Sequence, residues 1–255
     1  MRLHGKGMPS AFDIYERKDY RNRIQIGRSV RFMVEVRETS LVIQAPVDLS
    51  ARAKDCVFRY RYQLEEYLRQ HPAFREAADP IQIYSSAPEI VRYCDLSARA
   101  AGVAPMSCMS GAMADFVGRD LAAEVGDVVV SSGGDSFIRC SEPADVFLYA
   151  SGSPLHDRLV LALPAFRKPY GISTYVPGKG VQAVTVLSRS ACWASALARD
   201  IGMRLVRGDS PTMVLDRVAE YECVGGILLI SGSRIIAGGE LVLRMANGNS
   251  TDQPE

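Results

Sequence analysis

The stretch 102–135 constrains this chain more than any other, because it sets two glycines inside what must otherwise be a buried helix. Pro105 has no N–H to donate and suits a first helical turn, where that donor is unpaired anyway. Behind it Met106, Met109, Met113, Val117 and Leu121 recur at intervals of three and four residues, one apolar stripe on a helix. Ser107, Gly111, Ala114 and Gly118 form a second stripe of small residues. Each mid-helix glycine costs about 1 kcal/mol against alanine. The expected return is close approach by another backbone or by a ligand. The helix is predicted to stop near Glu124, with Gly126 as its exit.

Val128–Val130 is a short, wholly apolar run, suited to a buried central strand. It leads into Ser131, Ser132, Gly133, Gly134 and Asp135. A strand ending in hydroxyls, paired glycines and a carboxylate can turn backbone N–H groups toward an anion or a carbonyl-rich ring. The same residues also make a tight turn closed by an Asx hydrogen bond, and both readings stand. Ser173 and Thr174, ahead of the Pro177-Gly178-Lys179-Gly180 turn, are placed across a cleft from this segment. These seven residues are the candidate binding set for a small anionic or nucleotide-like molecule. Cys108 and Trp193 read as core, and His156 beside Asp157 makes no triad.

A chain of 255 residues can bury a sizeable core, as one large domain or two intimate halves. Its net charge of +1 argues against a general nucleic-acid surface. No apolar run approaches the roughly 18 residues of a membrane span, and the first residues lack the apolar core of a signal peptide. The cytosol is the expected compartment. Six cysteines and three histidines lie scattered, with no Cys-x2-Cys pair. Structural zinc usually takes ligands at short spacing, so buried free thiols are expected and no metal site.

Taken in order, residues 1–12 read as flexible, and Tyr15–Arg23 as a basic, aromatic edge. Arg31–Arg37 and Leu41–Gln44 alternate as a hairpin with one wet face. Asp48-Leu49-Ser50 opens an amphipathic helix that ends before Pro72, Ile81–Tyr84 reads as a strand, and Pro88 starts a helix reaching Gly102. Phe137–Arg139 and Val146–Ala150 are predicted to pair as a hairpin. Strands follow at Leu159–Leu163 and Val181–Leu187, a helix capped by Ser190 and ending at Gly202, and another from Ser210. Residues 226–230, 235–237 and 240–245 are terminal strands, and 247–255 a disordered tail. The expected layout is a single domain over 13–246, made of halves at about 13–135 and 136–246.

Three segments carry a family resemblance: Arg61 to Phe74 (Arg-Tyr-Gln-Leu-Glu-Glu-Tyr-Leu-Arg-Gln-His-Pro-Ala-Phe), Ala87-Pro-Glu-Ile-Val91, and Gly102-Val-Ala-Pro-Met106 through Gly111-Ala-Met-Ala-Asp-Phe-Val117. They resemble the UPF0280 family, itself similar to a branch of the ApbE-like superfamily of FAD:protein FMN transferases. The resemblance covers roughly residues 15–245. It implies an α+β, ApbE-like chain of two tandem T-fold-like halves, with antiparallel sheets, packed helices and a ligand site between the halves. It also implies a flavin or nucleotide as the ligand class.

Against the transferase pattern the chain departs at telling places. Asp115 and Phe116 stand where a lysine and a glycine lie near the flavin nucleotide, and Ser131-Ser132-Gly133-Gly134-Asp135 keeps only the glycines and carboxylate of Asn-x-Gly-Gly-Asp. Ser195 stands where the metal-binding aspartate is implied, and Arg199 where a threonine follows it. A serine brings no charge to a hard cation, so magnesium is not expected. The reading is a ligand-binding protein. A divergent transferase-like or other small-molecule enzyme, and a non-catalytic assembly protein, remain the alternatives. Open sheet edges make a homo-oligomer the expected state.

Overall fold

The computed structural model describes residues 21–218 and 221–246. The expected flexible N-terminus, most of the basic edge and the C-terminal tail lie outside the described residues. Alternation in the first hairpin becomes β2 (Val30–Val36) and β3 (Thr39–Ala45), preceded by the short β1 (Arg23–Gln25). Helix α1 (Ser50–Gln70) follows, then the short α2 (Pro72–Glu76) and α3 (Glu89–Ala101), which Gly102 closes in the left-handed conformation. Pro105–Cys108 winds as a 3₁₀ turn into α4 (Met109–Val125).

The chain continues through β4 (Val128–Ser132), β5 (Asp135–Cys140), β6 (Ala144–Phe147), β7 (Leu159–Leu163), β8 (Phe166–Tyr175) and β9 (Ala183–Ser188). Helices α5 (Ala191–Arg207) and α6 (Pro211–Val218) precede β10 (Val224–Ser231), β11 (Arg234–Gly239) and β12 (Val242–Met245). Eight strands form one antiparallel sheet in the order β11-β10-β9-β8-β5-β4-β3-β2, and four form a second in the order β1-β6-β7-β12.

The large sheet is the middle layer of three. Val128 and Val130 pack with helical residues such as Val117 and Leu121, whereas Val129 packs with Val146, Leu161 and Ile172 beneath the small sheet. A strand buried on both faces needs apolar residues at every position, which accounts for the unbroken valine run. The fold is α+β, with helices and antiparallel sheets as expected.

Some local expectations change. The hairpin of Phe137–Arg139 with Val146–Ala150 does not form. β5 lies between β4 and β8 in the large sheet, while β6 lies between β1 and β7 in the small one. The Ser-Glu-Pro turn therefore moves the chain between layers. Residues 81–84 are irregular, not a strand. β8 interrupts its own pattern with Arg167, Lys168 and Pro169, and the β5–β8 register shifts there, between Ile138 and Cys140. A proline cannot donate to a ladder, so an irregularity accommodates it. Gly202 does not end α5, which runs on to Gly208. Its missing side chain instead makes room for the Tyr175 ring.

The two glycines of α4 do bring neighbours close. Gly118 leaves space for the Phe137 ring, and a Cβ on Gly111 would lie 2.5 Å from the carbonyl oxygen of Ala191. A Cβ on Gly171 of β8 would collide with the preceding peptide, Ser190–Ala191. We expect Gly111→Ala to lower stability by about 2–3 kcal/mol in urea unfolding, although alanine is the better helix former by about 1 kcal/mol. A neutral or stabilised variant would contradict the backbone contact.

Candidate ligand site

Ser132 faces Asp135 and Ser131 faces Ser136 across the β4–β5 ladder, which leaves Gly133-Gly134 as a two-residue turn. Gly133 has φ 59°, the left-handed value a type II′ hairpin needs at its first central residue. The glycines therefore make a tight turn, and strand alternation then sorts the neighbouring side chains. Asp135 faces the helices. Ser131 faces the other way and shares a hydrogen bond of 2.9 Å with Ser136. Ser173 pairs with Asp135 across β5–β8, and the Thr174 N–H donates to the Gly134 carbonyl at 3.0 Å. The Thr174 hydroxyl turns to the opposite face, 2.9 Å from that of Thr185, and accepts from the Asn22 amide at 2.9 Å. Asn22 in turn accepts from the Tyr149 N–H.

Asp135 is the polar centre on the helical side. Its carboxylate accepts from Ser110 at 2.5 Å and from Ser195 at 3.0 Å. Burial pushes its pKa up to about 6, outweighing the lowering effect of hydrogen bonds from Ser110, Ser173 and Ser195. Ser107, Gly134, Thr174, Tyr175 and Arg199 complete a cleft of about 40 Å³ around it. The Arg199 guanidinium lies 5.5 Å from the centre of the Tyr175 ring. Such a volume holds a few waters or one small ion, not a nucleotide.

The room lies one wall away. A cavity of about 630 Å³ shares Ser110 with the cleft and also takes in Ser132. Leu64, Leu68, Met106, Met109 and Met113 give it apolar lining, and Arg37, Arg61 and Arg75 stand with Glu38 and Glu65. Arg61 donates to Glu38 at 2.5 Å, Glu65 at 2.6 Å and Thr39 at 2.8 Å. Its Nε is buried and meets no acceptor among the described residues. The methionines were legible as a helical stripe, but nothing in their spacing distinguishes a cavity wall from core. The arginines come from the β2–β3 turn, α1 and α2, and only the fold assembles them.

Asp115, at the place where the resemblance implies a lysine, serves structure. Its carboxylate accepts from the Ser190 hydroxyl at 2.7 Å and from the N–H groups of Ala191 and Cys192 at 2.9 and 3.0 Å. It thus caps α5 from a neighbouring helix. Burial raises its pKa, against the lowering effect of those three bonds. The implied magnesium finds no matching set here. The cleft offers one carboxylate already engaged by serine hydroxyls, Ser195 replaces the charged ligand, and Asp200 is bound to Arg204 at 2.9 Å. The residues do not fit a hard divalent cation. Three of the cysteines that look scattered in sequence, Cys94, Cys108 and Cys192, are gathered within 4.8 Å of one another.

The Asp135 environment has a pH signature. Its folded pKa of about 6 exceeds the roughly 3.9 of an unfolded aspartate, so between these values the folded state binds more protons. Stability is then greatest below the unfolded value and falls as pH rises through the folded one. Two units correspond to roughly 3 kcal/mol. Urea titrations from pH 4 to pH 7 should show Asp135→Asn gaining on the wild type by about 2–3 kcal/mol. A difference independent of pH would refute the assignment.

Comparison with known proteins agrees with this architecture. The family model described as AbpE bacteria matches residues 21–220. A UPF0280 protein of Methanospirillum hungatei is 31% identical over 231 residues, spanning 86% of this chain and 92% of that protein. One from Methanopyrus kandleri is 32% identical over 200 residues, or 76% and 80% of the two chains. Among solved structures, a mutant of the flavin transferase ApbE from Vibrio cholerae aligns with a TM-score of 0.52 at 16% identity, covering 83% of this chain and 97% of that one. That likeness is one of fold. Sequence, family model and three-layer architecture agree: the chain belongs to the UPF0280 family, within the ApbE-like superfamily.

Proposed function

We propose that the protein binds a small anionic molecule of nucleotide or flavin type, its body in the large cavity and a polar end toward Ser110 and Ser132. One observation carries this reading. The cavity of about 630 Å³ combines Leu and Met lining with three guanidiniums against two carboxylates, and opens beside the Asp135 cleft. Its volume falls in the range of small-molecule sites. An apolar wall suits a flat ring, and arginines suit phosphate or carboxylate. The buried Nε–H of Arg61 supplies a further donor. The flavin transferase with the same fold supports the ligand class by analogy.

Thermal unfolding with FMN, FAD, ADP and inorganic phosphate tests it, since a ligand that binds only the folded state must raise the melting temperature. We expect a nucleotide or flavin to raise it at sub-millimolar concentration. Arg75 is exposed and has no ion-pair partner among the described residues. Arg75→Ala should therefore weaken binding about 5–10-fold and leave the unliganded melting temperature unchanged. No shift from any compound at millimolar concentration would sink the reading. Incubation with FAD, magnesium and an acceptor protein should leave no covalent flavin, because the metal ligands are missing.

A second reading, an acid–base enzyme, is favoured by the short Ser110–Asp135 contact and the raised pKa of Asp135 beside the same cavity. Turnover of a bound compound with an apparent pKa near 6, lost in Ser110→Ala, would select it. We also infer self-association along β2, an end strand of the large sheet on which Val30 and Met33 are exposed. Sedimentation should then show a species of twice the 27.9 kDa chain mass at tens of micromolar.

A further inference from the structure

We propose that Cys94, Cys108 and Cys192 form a thiolate site for a single d10 divalent cation of the zinc class. The three sulfurs come from α3, the 3₁₀ turn and the first turn of α5, elements far apart in sequence, and all lie within 4.8 Å of one another. Cys94 and Cys108 are 3.3 Å apart. Zinc–sulfur bonds of about 2.3 Å in a tetrahedron place the sulfurs about 3.8 Å apart, so small rotamer adjustments would bring these atoms to ligand geometry. A fourth donor is at hand. The carbonyl oxygen of Pro105 lies 2.9 Å from the Cys94 sulfur and 3.8 Å from that of Cys108.

Charge decides which ion suits the site. Binding releases three protons: three thiols and one divalent cation give a tris-thiolate complex of net charge −1. A monovalent ion would leave −2 in a fully buried place, at a greater desolvation cost. Cys108 stands at the start of α4 and Cys192 in the first turn of α5. Helix N-termini favour thiolate over thiol. No cationic side chain is among the chief influences on these three thiols. Burial holds the Cys94 and Cys192 thiols well above the usual thiol range. Cys108 also lies well above it, where its bond with Cys192 lowers the value and the Cys94 bond and burial outweigh it. As core, the cluster spends three polarizable side chains on weak sulfur contacts with one another and with backbone carbonyls. The other three cysteines lie outside it.

All three residues are fully or almost fully buried, so the ion enters as the chain folds. The test accordingly refolds the full chain from denaturant, anaerobically, with Zn(II) or with Co(II) as a spectroscopic probe. We expect one equivalent per chain, intense visible bands of tetrahedral Co(II), sulfur-to-cobalt charge transfer in the near ultraviolet, and a raised melting temperature with Zn(II). Cys108→Ala should abolish these signals, whereas Cys223→Ala should keep them. Should Cys108→Ala fail to fold, X-ray absorption on the zinc-loaded wild type decides, with three sulfur scatterers and one oxygen expected. Absence of a stoichiometric sulfur-bound ion in the refolded wild type would overturn the proposal. So would binding that survives Cys108→Ala.

Discussion

The backbone from Ser190 to Cys192 is the point on which the molecule closes. Gly171 of β8 presses on the Ser190–Ala191 peptide and Gly111 of α4 on the Ala191–Cys192 peptide, each at a position where a Cβ could not fit. Asp115 accepts the hydrogen bonds of the residues around it, so the start of α5 is held sterically and electrostatically at once. A buried carboxylate is costly unless its oxygens are satisfied, and here three donors converge on it. Because α5 is fixed at this end, Ser195 arrives one turn later within 3.0 Å of Asp135. The polar cleft thus depends on a backbone contact outside its own lining.

That dependence explains what could be read in the sequence. The small stripe of α4 announced a close neighbour, and the valine run announced a strand buried on both faces. Both signals are local and of one period. Asp135 was singled out because paired glycines and a strand end are local too, and Ser173 through the turn that follows it and the family resemblance. Ser131 and Thr174 share that local chemistry, yet strand alternation turns their hydroxyls to the other face, among Ser136, Thr185 and Asn22. Which of two adjacent residues faces the helices depends on register, and register is set by the partner strand.

Other features depended on distance in the chain. Ser-Glu-Pro-Ala-Asp has the composition of a hairpin turn, but a turn does not encode whether the chain returns to the same sheet or crosses to another. β8 hid behind Arg167-Lys168-Pro169, which breaks the alternation where the ladder also breaks. The large cavity borrows guanidiniums from three elements and methionines from the 3₁₀ turn and α4, and no window of sequence contains them all. The cysteine cluster spans 14 and then 84 residues between its members, beyond any spacing rule for metal ligands.

Ser110 stands in the wall between the cleft and the cavity, and its hydroxyl owns a single proton. While Asp135 is ionised, that proton points at the carboxylate, and Ser110 offers the cavity only lone pairs. Burial raises the Asp135 pKa to about 6, and with the carboxyl protonated the Ser110 hydrogen is no longer committed to an anion. The wall then changes from acceptor to donor with no movement of the backbone. A phosphate monoester loses its second proton in the same range. An anion bound as proposed above would therefore meet a wall whose hydrogen-bonding character changes with pH, so that its charge would matter to the fit as well as its shape.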